Sequence, residues 1–155
     1  MIKLVWDTSA IINIKEPNAE GYSPGHGLYK DLSDGWISGP YQNIFPSLAV
    51  FEVAATVSRM QRDGMRILRE FYIIDENSVL YDVDQKLITK SHDLFSKQGF
   101  DQLRGADLVF ACIAYIEGAY LVTKDKVFGK TVSEYIRIID LNDSLDSANY
   151  RRLFD

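Results

Sequence analysis

The chain has 155 residues, 46% of them hydrophobic, one cysteine and a formal net charge of −5. That length suits one ordinary globular domain spanning 1–155 that buries most of its apolar surface, and no apolar run approaches the about 18 residues of a membrane span. The lone Cys112 excludes an internal disulfide framework and fits a reducing compartment, so the expected protein is soluble and cytoplasmic. Its acidic balance is awkward for a nucleic-acid enzyme, whose phosphate contacts need Lys and Arg, without excluding one, since clustered site acids inflate the negative count.

IKLVW reads as a short buried strand ended by the polar Asp7-Thr8-Ser9, and SAIINI as the first turns of a helix that breaks at Glu16-Pro17-Asn18. Between Pro17 and Pro46 glycines and prolines punctuate the chain, with only HGLYKDL offering a helix, so 17–45 reads as an insert. Its aromatics Tyr22, Tyr29, Trp36 and Tyr41 suit either base stacking or a subunit contact. NIFPS is a short strand ending at a helix start with Ser47 as N-cap, and Leu48, Phe51, Ala55 and Met60 make an apolar stripe that Glu52 adjoins. Asp63-Gly64 ends that helix and MRILREFYI begins another. SVLYDV alternates as a strand does, and the amphipathic DQKLITKSHDLFSKQG closes at Gly99. LRGADLVFACIAYIEG is apolar almost all round, as a central packed helix should be, with Cys112 a small buried core residue. AYLVT and YIRIIDL are strands and LDSANYRRLF a terminal helix. Strands alternating with helices predict a three-layer α/β/α fold with a central, mostly parallel sheet.

Four carboxylates stand where apolar strands run out or on helix faces: Asp7, Glu52, Asp107 and Asp125. Acids at the carboxyl ends of parallel strands lie on the rim where open α/β sheets bind ligands. Such a set costs energy through mutual repulsion unless a cation intervenes. Carboxylate oxygens suit Mg²⁺ or Mn²⁺, whereas a site without His or Cys argues against Zn²⁺. His26 and His92 have no metal-like spacing. Each acid alone also has a structural use: Asp7 as a turn or N-cap residue, Asp107 as a helix-dipole partner, Glu52 as an ordinary helical residue.

The set DTSA, an acid inside a helix after Pro-Ser, and ADLVFACIAY leading through GAYLVTKD to Phe128 resembles the PIN domain, whose commonest small free-standing members are the VapC toxin ribonucleases. The likeness runs over roughly residues 2–128 and is most specific in its last stretch. It implies an Mg²⁺- or Mn²⁺-dependent endoribonuclease in which Asp7 is the central ligand, Glu52 and Asp107 are helix-borne ligands and Asp125 completes the site. Ser9 and Thr123 resemble the family's hydroxyls that orient carboxylates. The family often carries another acid two residues beyond the last Asp. Val127 stands there instead, which leaves the number of ions open. A small antitoxin filling the acidic groove and a homodimer are also implied.

Arg59, Arg62, Arg66 and Arg69 align on one helical face, as a solvated row or as a phosphate-tracking rim aided by Arg104, Lys124, Lys126 and Lys130. Two other functions compete with the ribonuclease. A catalytically weak PIN-like scaffold binding RNA or protein is disfavoured by acids at all four positions. A haloacid-dehalogenase-type phosphotransfer fold carries a second acid where this chain has Ser9. A dinucleotide-binding sheet is excluded because the turn after the first strand has no glycine.

Overall fold

A computed structural model describes residues 1–15, 23–62, 75–142 and 154. In chain order they form β1 (Ile2–Trp6), α1 (Thr8–Lys15), α2 (Pro24–Ser33), β2 (Tyr41–Pro46), α3 (Ser47–Arg62), β3 (Ser78–Tyr81), α4 (Gln85–Ser91), α5 (Gly105–Glu117), β4 (Tyr120–Thr123), α6 (Val127–Thr131) and β5 (Ile138–Asp140). Two 3₁₀ turns, His92–Leu94 and Phe100–Gln102, lie between α4 and α5. Among these residues the five strands make one sheet in the order β3-β2-β1-β4-β5, and every pairing in it is parallel. The expected three-layer α/β/α fold is therefore present, with a sheet that is parallel throughout.

A parallel sheet covered on both faces needs strands that are apolar on both sides. Leu4, Val5 and Trp6 of β1 and Leu121 and Val122 of β4 are fully buried. The Trp6 indole keeps its donor satisfied by bonding Asn43 Oδ1 at 2.9 Å, deep in the sheet. The chain runs from β1 through β2 to β3 in one direction, then returns to the other side of β1 for β4 and β5. Right-handed crossovers place helices before and after such a reversal on opposite faces. Accordingly α1 packs against α2 and α3, while α5 packs on α4, β1 and β4.

Helix ends follow local chemistry. Ser23 caps α2 with Pro24 in the first turn, and Asp84 caps α4 through the Leu87 N–H at 2.9 Å. Gly118 ends α5 in the left-handed region at φ 60°, its N–H bonding the carbonyls of the last turn. Cys112 is buried in α5 as expected.

Several expectations are corrected. The stretch 17–45 is not an insert, because it contains α2 and most of β2, the first crossover of the sheet. Its Tyr29 packs edge-on to Trp6 and bonds Asp75, and the Tyr41 hydroxyl accepts from Asn77, so neither ring is presented for base stacking. Trp36 is exposed, and Tyr22 lies outside the described residues. The apolar stripe of α3 runs through Ala49 and Val53, with Phe51 74% exposed. Small side chains at positions i and i+4 let α3 approach its neighbours closely, which turns Phe51 outward. Ser47 is the first residue of α3, and its Oγ accepts the Val83 N–H instead of capping the helix. The helix expected to reach Gly99 stops at Ser91, where the chain tightens into 3₁₀ turns. The helix starting at Met65, the Asp63-Gly64 stop and the terminal helix from Leu145 lie outside the described residues. No helix among the described residues is long and apolar enough to cross a membrane.

Candidate active site

In an open parallel sheet, ligands bind outside the carboxyl ends of the strands where the strand order reverses. Here that point lies between β1 and β4, and Asp7 follows β1 directly, its N–H bonding the Val122 carbonyl of β4 at 3.2 Å. Asp7 opens α1: its carbonyl accepts the Ile11 N–H at 3.0 Å and its Oδ1 accepts the Ala10 N–H at 2.8 Å. The turn-and-cap role of an Asp at this position is thus filled. It does not account for everything about the residue.

Asp7 is only 3% exposed. Ser9 Oγ donates to its Oδ1 at 2.7 Å, and Thr123 Oγ1 donates to its Oδ2. Burial outweighs these stabilising bonds and the Asp107 charge adds to it, pushing the Asp7 carboxyl up to about 6. A carboxylate kept only to cap a helix has no reason to carry that penalty, since an exposed cap serves equally well. Strong desolvation combined with a like-charge neighbour marks Asp7 as a candidate functional group.

The other acids gather around this one. Asp107 lies in the first turn of α5, and burial, then Asp125, then Glu52 push its carboxyl above the usual range. Asp107 thereby senses Asp125 and Glu52, and its own charge in turn raises Asp7. Glu52 projects from α3 and accepts a 2.7 Å bond from Thr8 Oγ1. Asp125 is exposed two residues past β4, its Oδ1 receiving the Val127 N–H at 2.9 Å and so starting α6. Among the described residues no three acidic, His or Cys side chains close on a common point. The four acids share one rim within electrostatic reach, spread apart as like charges are. Neither ion pair among the described residues, Lys3–Glu117 or Lys30–Asp34, involves them.

The loop after β4 is tied to the one after β1. Thr123 Oγ1 bridges the two strand ends, bonding Asp7 and receiving the Asp125 N–H at 2.8 Å, while Ser9 Oγ receives the Lys124 N–H at 3.0 Å. Both predicted hydroxyls therefore contact Asp7. Adjacent Thr8 and Ser9 divide their bonds between two acids, Glu52 and Asp7.

A family model described as PIN domain matches residues 4–133. The chain belongs to the PIN domain family. Its fold is also similar to solved structures: a chain in the crystal structure of VapBC2 from Rickettsia felis bound to a DNA fragment from their promoter matches with a TM-score of 0.60 and 16% identity. That match covers 90% of this chain and 98% of the other. A search of curated proteins finds no match.

Of the residues singled out in the sequence of this PIN domain, Asp7, Ser9, Glu52, Asp107, Thr123 and Asp125 share the rim. Arg59 and Arg62 are exposed at the end of α3, Arg59 bonding Thr56 at 3.3 Å, and Arg66 and Arg69 lie outside the described residues. Lys124, Lys126 and Lys130 are exposed beside Asp125. Arg104 is committed elsewhere, closing the turn before α5 through the carbonyls of Asp101 and Leu103. The His26 ring contacts the Ile14 carbonyl, and His92 ends α4; neither joins the acids.

Thr8 escaped the sequence reading, although its place beside Asp7 in the opening turn of α1 was a usable signal. Replacing it with isosteric valine removes the one hydrogen bond described for the Glu52 carboxylate and little else. A loss of roughly tenfold in any activity that uses Glu52 is expected, the lower end for groups that orient metal ligands, with unchanged denaturant midpoint. Parallel rate assays and urea titrations of Thr8→Val check both halves.

Proposed function

We propose that this PIN domain is a metal-dependent endoribonuclease that hydrolyses RNA phosphodiester bonds and is the toxin of a toxin–antitoxin pair. The observation that carries the reading is Asp7, buried at the strand-order reversal with its carboxyl pushed up to about 6 and Asp107 facing it. PIN nucleases are hydrolases of nucleic acids, and the acids here fit the divalent ions such enzymes use. The donors are all oxygen, and Asp107 is raised by burial and then by its acidic neighbours instead of being neutralised by a Lys or Arg.

Asp7, Glu52, Asp107 and Asp125 would hold Mg²⁺ or Mn²⁺. A bound divalent ion supplies Lewis acidity toward a phosphodiester and acidifies water. The chain's own groups supply orientation. Ala10 N–H, Ser9 and Thr123 fix both Asp7 oxygens, so that carboxylate presents one geometry. Thr8 holds Glu52 toward the rim from the turn that also carries Asp7. In this reading Lys124 and Lys126, exposed on either side of Asp125, would receive the RNA backbone, and Arg59 and Arg62, exposed at the end of α3, would add phosphate contacts farther from the acids. The partners that go with this reading are an RNA substrate, a small antitoxin protein and a second copy of the chain.

The deciding experiment is cleavage of a mixed RNA pool with Mg²⁺ or Mn²⁺, with Ca²⁺, and with EDTA. Cleavage is expected with the first two only, because Ca²⁺ acidifies water poorly. Full cleavage in EDTA overturns the mechanism. RNA binding without cleavage under every condition leaves the scaffold reading in its place.

A further inference from the structure

We propose that Asn142, beyond the end of β5, is a positioning residue for Asp125. The proposal rests on the reading above, in which Asp125 is a cation ligand. In the parallel register Thr123 of β4 stands opposite Asp140 of β5, and the Leu141 N–H bonds the Thr123 carbonyl at 2.8 Å. This pairing brings the residue after Leu141 alongside the turn that carries Asp125. There the Asn142 side-chain amide donates to the Lys124 carbonyl and to Asp140 Oδ1, the latter at 2.9 Å. The backbone N–H of Asn142 donates to the same Asp140 oxygen at 2.9 Å, which fixes the direction of the amide.

The Lys124 carbonyl and the Asp125 N–H belong to one peptide plane. Asn142 holds its oxygen, and Thr123 Oγ1 holds its N–H at 2.8 Å. Rotation of that plane would swing the Asp125 carboxylate about the strand end, and two opposed hydrogen bonds prevent it. A third bond, from the Lys124 N–H to Ser9 Oγ, anchors the preceding peptide to the Asp7 turn. Asp125 has no comparable protection of its own, being exposed, with its side chain bonded to Val127 N–H. Asn142 thus acts through the backbone and touches neither substrate nor ion. Asp140, though acidic and level with Thr123, is engaged with Asn142 and serves as the base of this clamp.

The test uses the full chain with Asn142→Ala and with Asn142→Leu, which keeps the bulk but removes the amide donors. Mn²⁺ affinity by calorimetry is expected to fall about tenfold in both, as when an outer partner of a metal ligand is lost. In RNA cleavage kcat should fall with KM nearly constant. In the metal-free protein the Asp125 amide should exchange its hydrogen several-fold faster while amides of β1 keep their protection, an outcome that a general loss of stability would not give. The decisive comparison is a double-mutant cycle: in an Asp125→Asn background Asn142→Ala should have no further effect on Mn²⁺ affinity, because it acts through Asp125. Wild-type Mn²⁺ affinity and wild-type Asp125 exchange in both variants overturn the assignment of Asn142 alone. Absence of Mn²⁺ binding by the wild type overturns the underlying cation reading, with exchange at Asp125 still reporting whether the clamp exists.

Discussion

Asp7→Asn is expected to abolish RNA cleavage, a loss of roughly a thousandfold or more, on the scale of removing a preorganised electrostatic group, and at the same time to stabilise the metal-free protein at neutral pH. The sign follows from the environment of the carboxyl. Folding raises it from the ordinary value near 4 to about 6, so the native state holds the proton more tightly than the unfolded chain does. Stability from this group is therefore fully present below about pH 4 and is lost as pH rises toward 6. Removing the titration should recover roughly 3 kcal/mol at pH 7, taking two pKa units at face value. About 1 kcal/mol of that is offset because the Thr123 hydroxyl, which donates to Asp7 Oδ2, faces a donor when the nitrogen takes that position. Melting curves of the two proteins without divalent ions should differ most at pH 7 and converge near pH 4. A mutant that is active and less stable at pH 7 would make Asp7 a structural cap and nothing more.

The largest expected loss of stability comes from Gly99→Ala. Gly99 has φ 92°, a region that side chains rarely enter, and a methyl carbon there would collide with the Thr131 carbonyl at the end of α6. Because the obstacle is backbone, relief requires moving α6 or the turn before α5, costing roughly 3–5 kcal/mol from strain and overpacking together. That is a large share of the stability of an ordinary domain. Gly118→Ala provides the comparison, with φ 60° but open space around it, and should cost about 1–2 kcal/mol. Urea titrations of both variants measure the difference. Similar midpoints would show that the contact between the 99 turn and α6 is soft.

The parts of this structure written in local chemistry are legible in the sequence alone. β1 and β4 announce themselves by short, largely apolar runs, α5 by its apolar circumference and the glycine that stops it, and the fold class by the alternation of strand with helix. The four acids were legible as a set because each follows a strand or opens or rides a helix. Less visible was anything decided by how elements meet. Phe51 belongs by composition to the inner stripe of α3, yet the small Ala49 and Val53 form the packed face and turn it outward. The 17–45 stretch looked like an insert because its glycines and prolines mask an ordinary crossover. Asn142 carried no signal at all, since its role depends on the β4–β5 register that brings it to a turn 18 residues earlier.

The strand order also governs when the molecule becomes complete during synthesis. The first strand made is the middle of the sheet, with Leu4, Val5 and Trp6 paired to Tyr120, Leu121 and Val122. Such long-range parallel pairing is slow to form and stays open until the distant partner emerges. A nascent chain that has left the ribosome only as far as α5 already displays Asp7, Glu52 and Asp107, but Thr123 and Asp125 are still inside the tunnel. Asp125, one of the four acids, and the Thr123 hydroxyl that bonds Asp7 are missing until β4 and the turn after it emerge, so the rim is incomplete in a chain made only as far as α5.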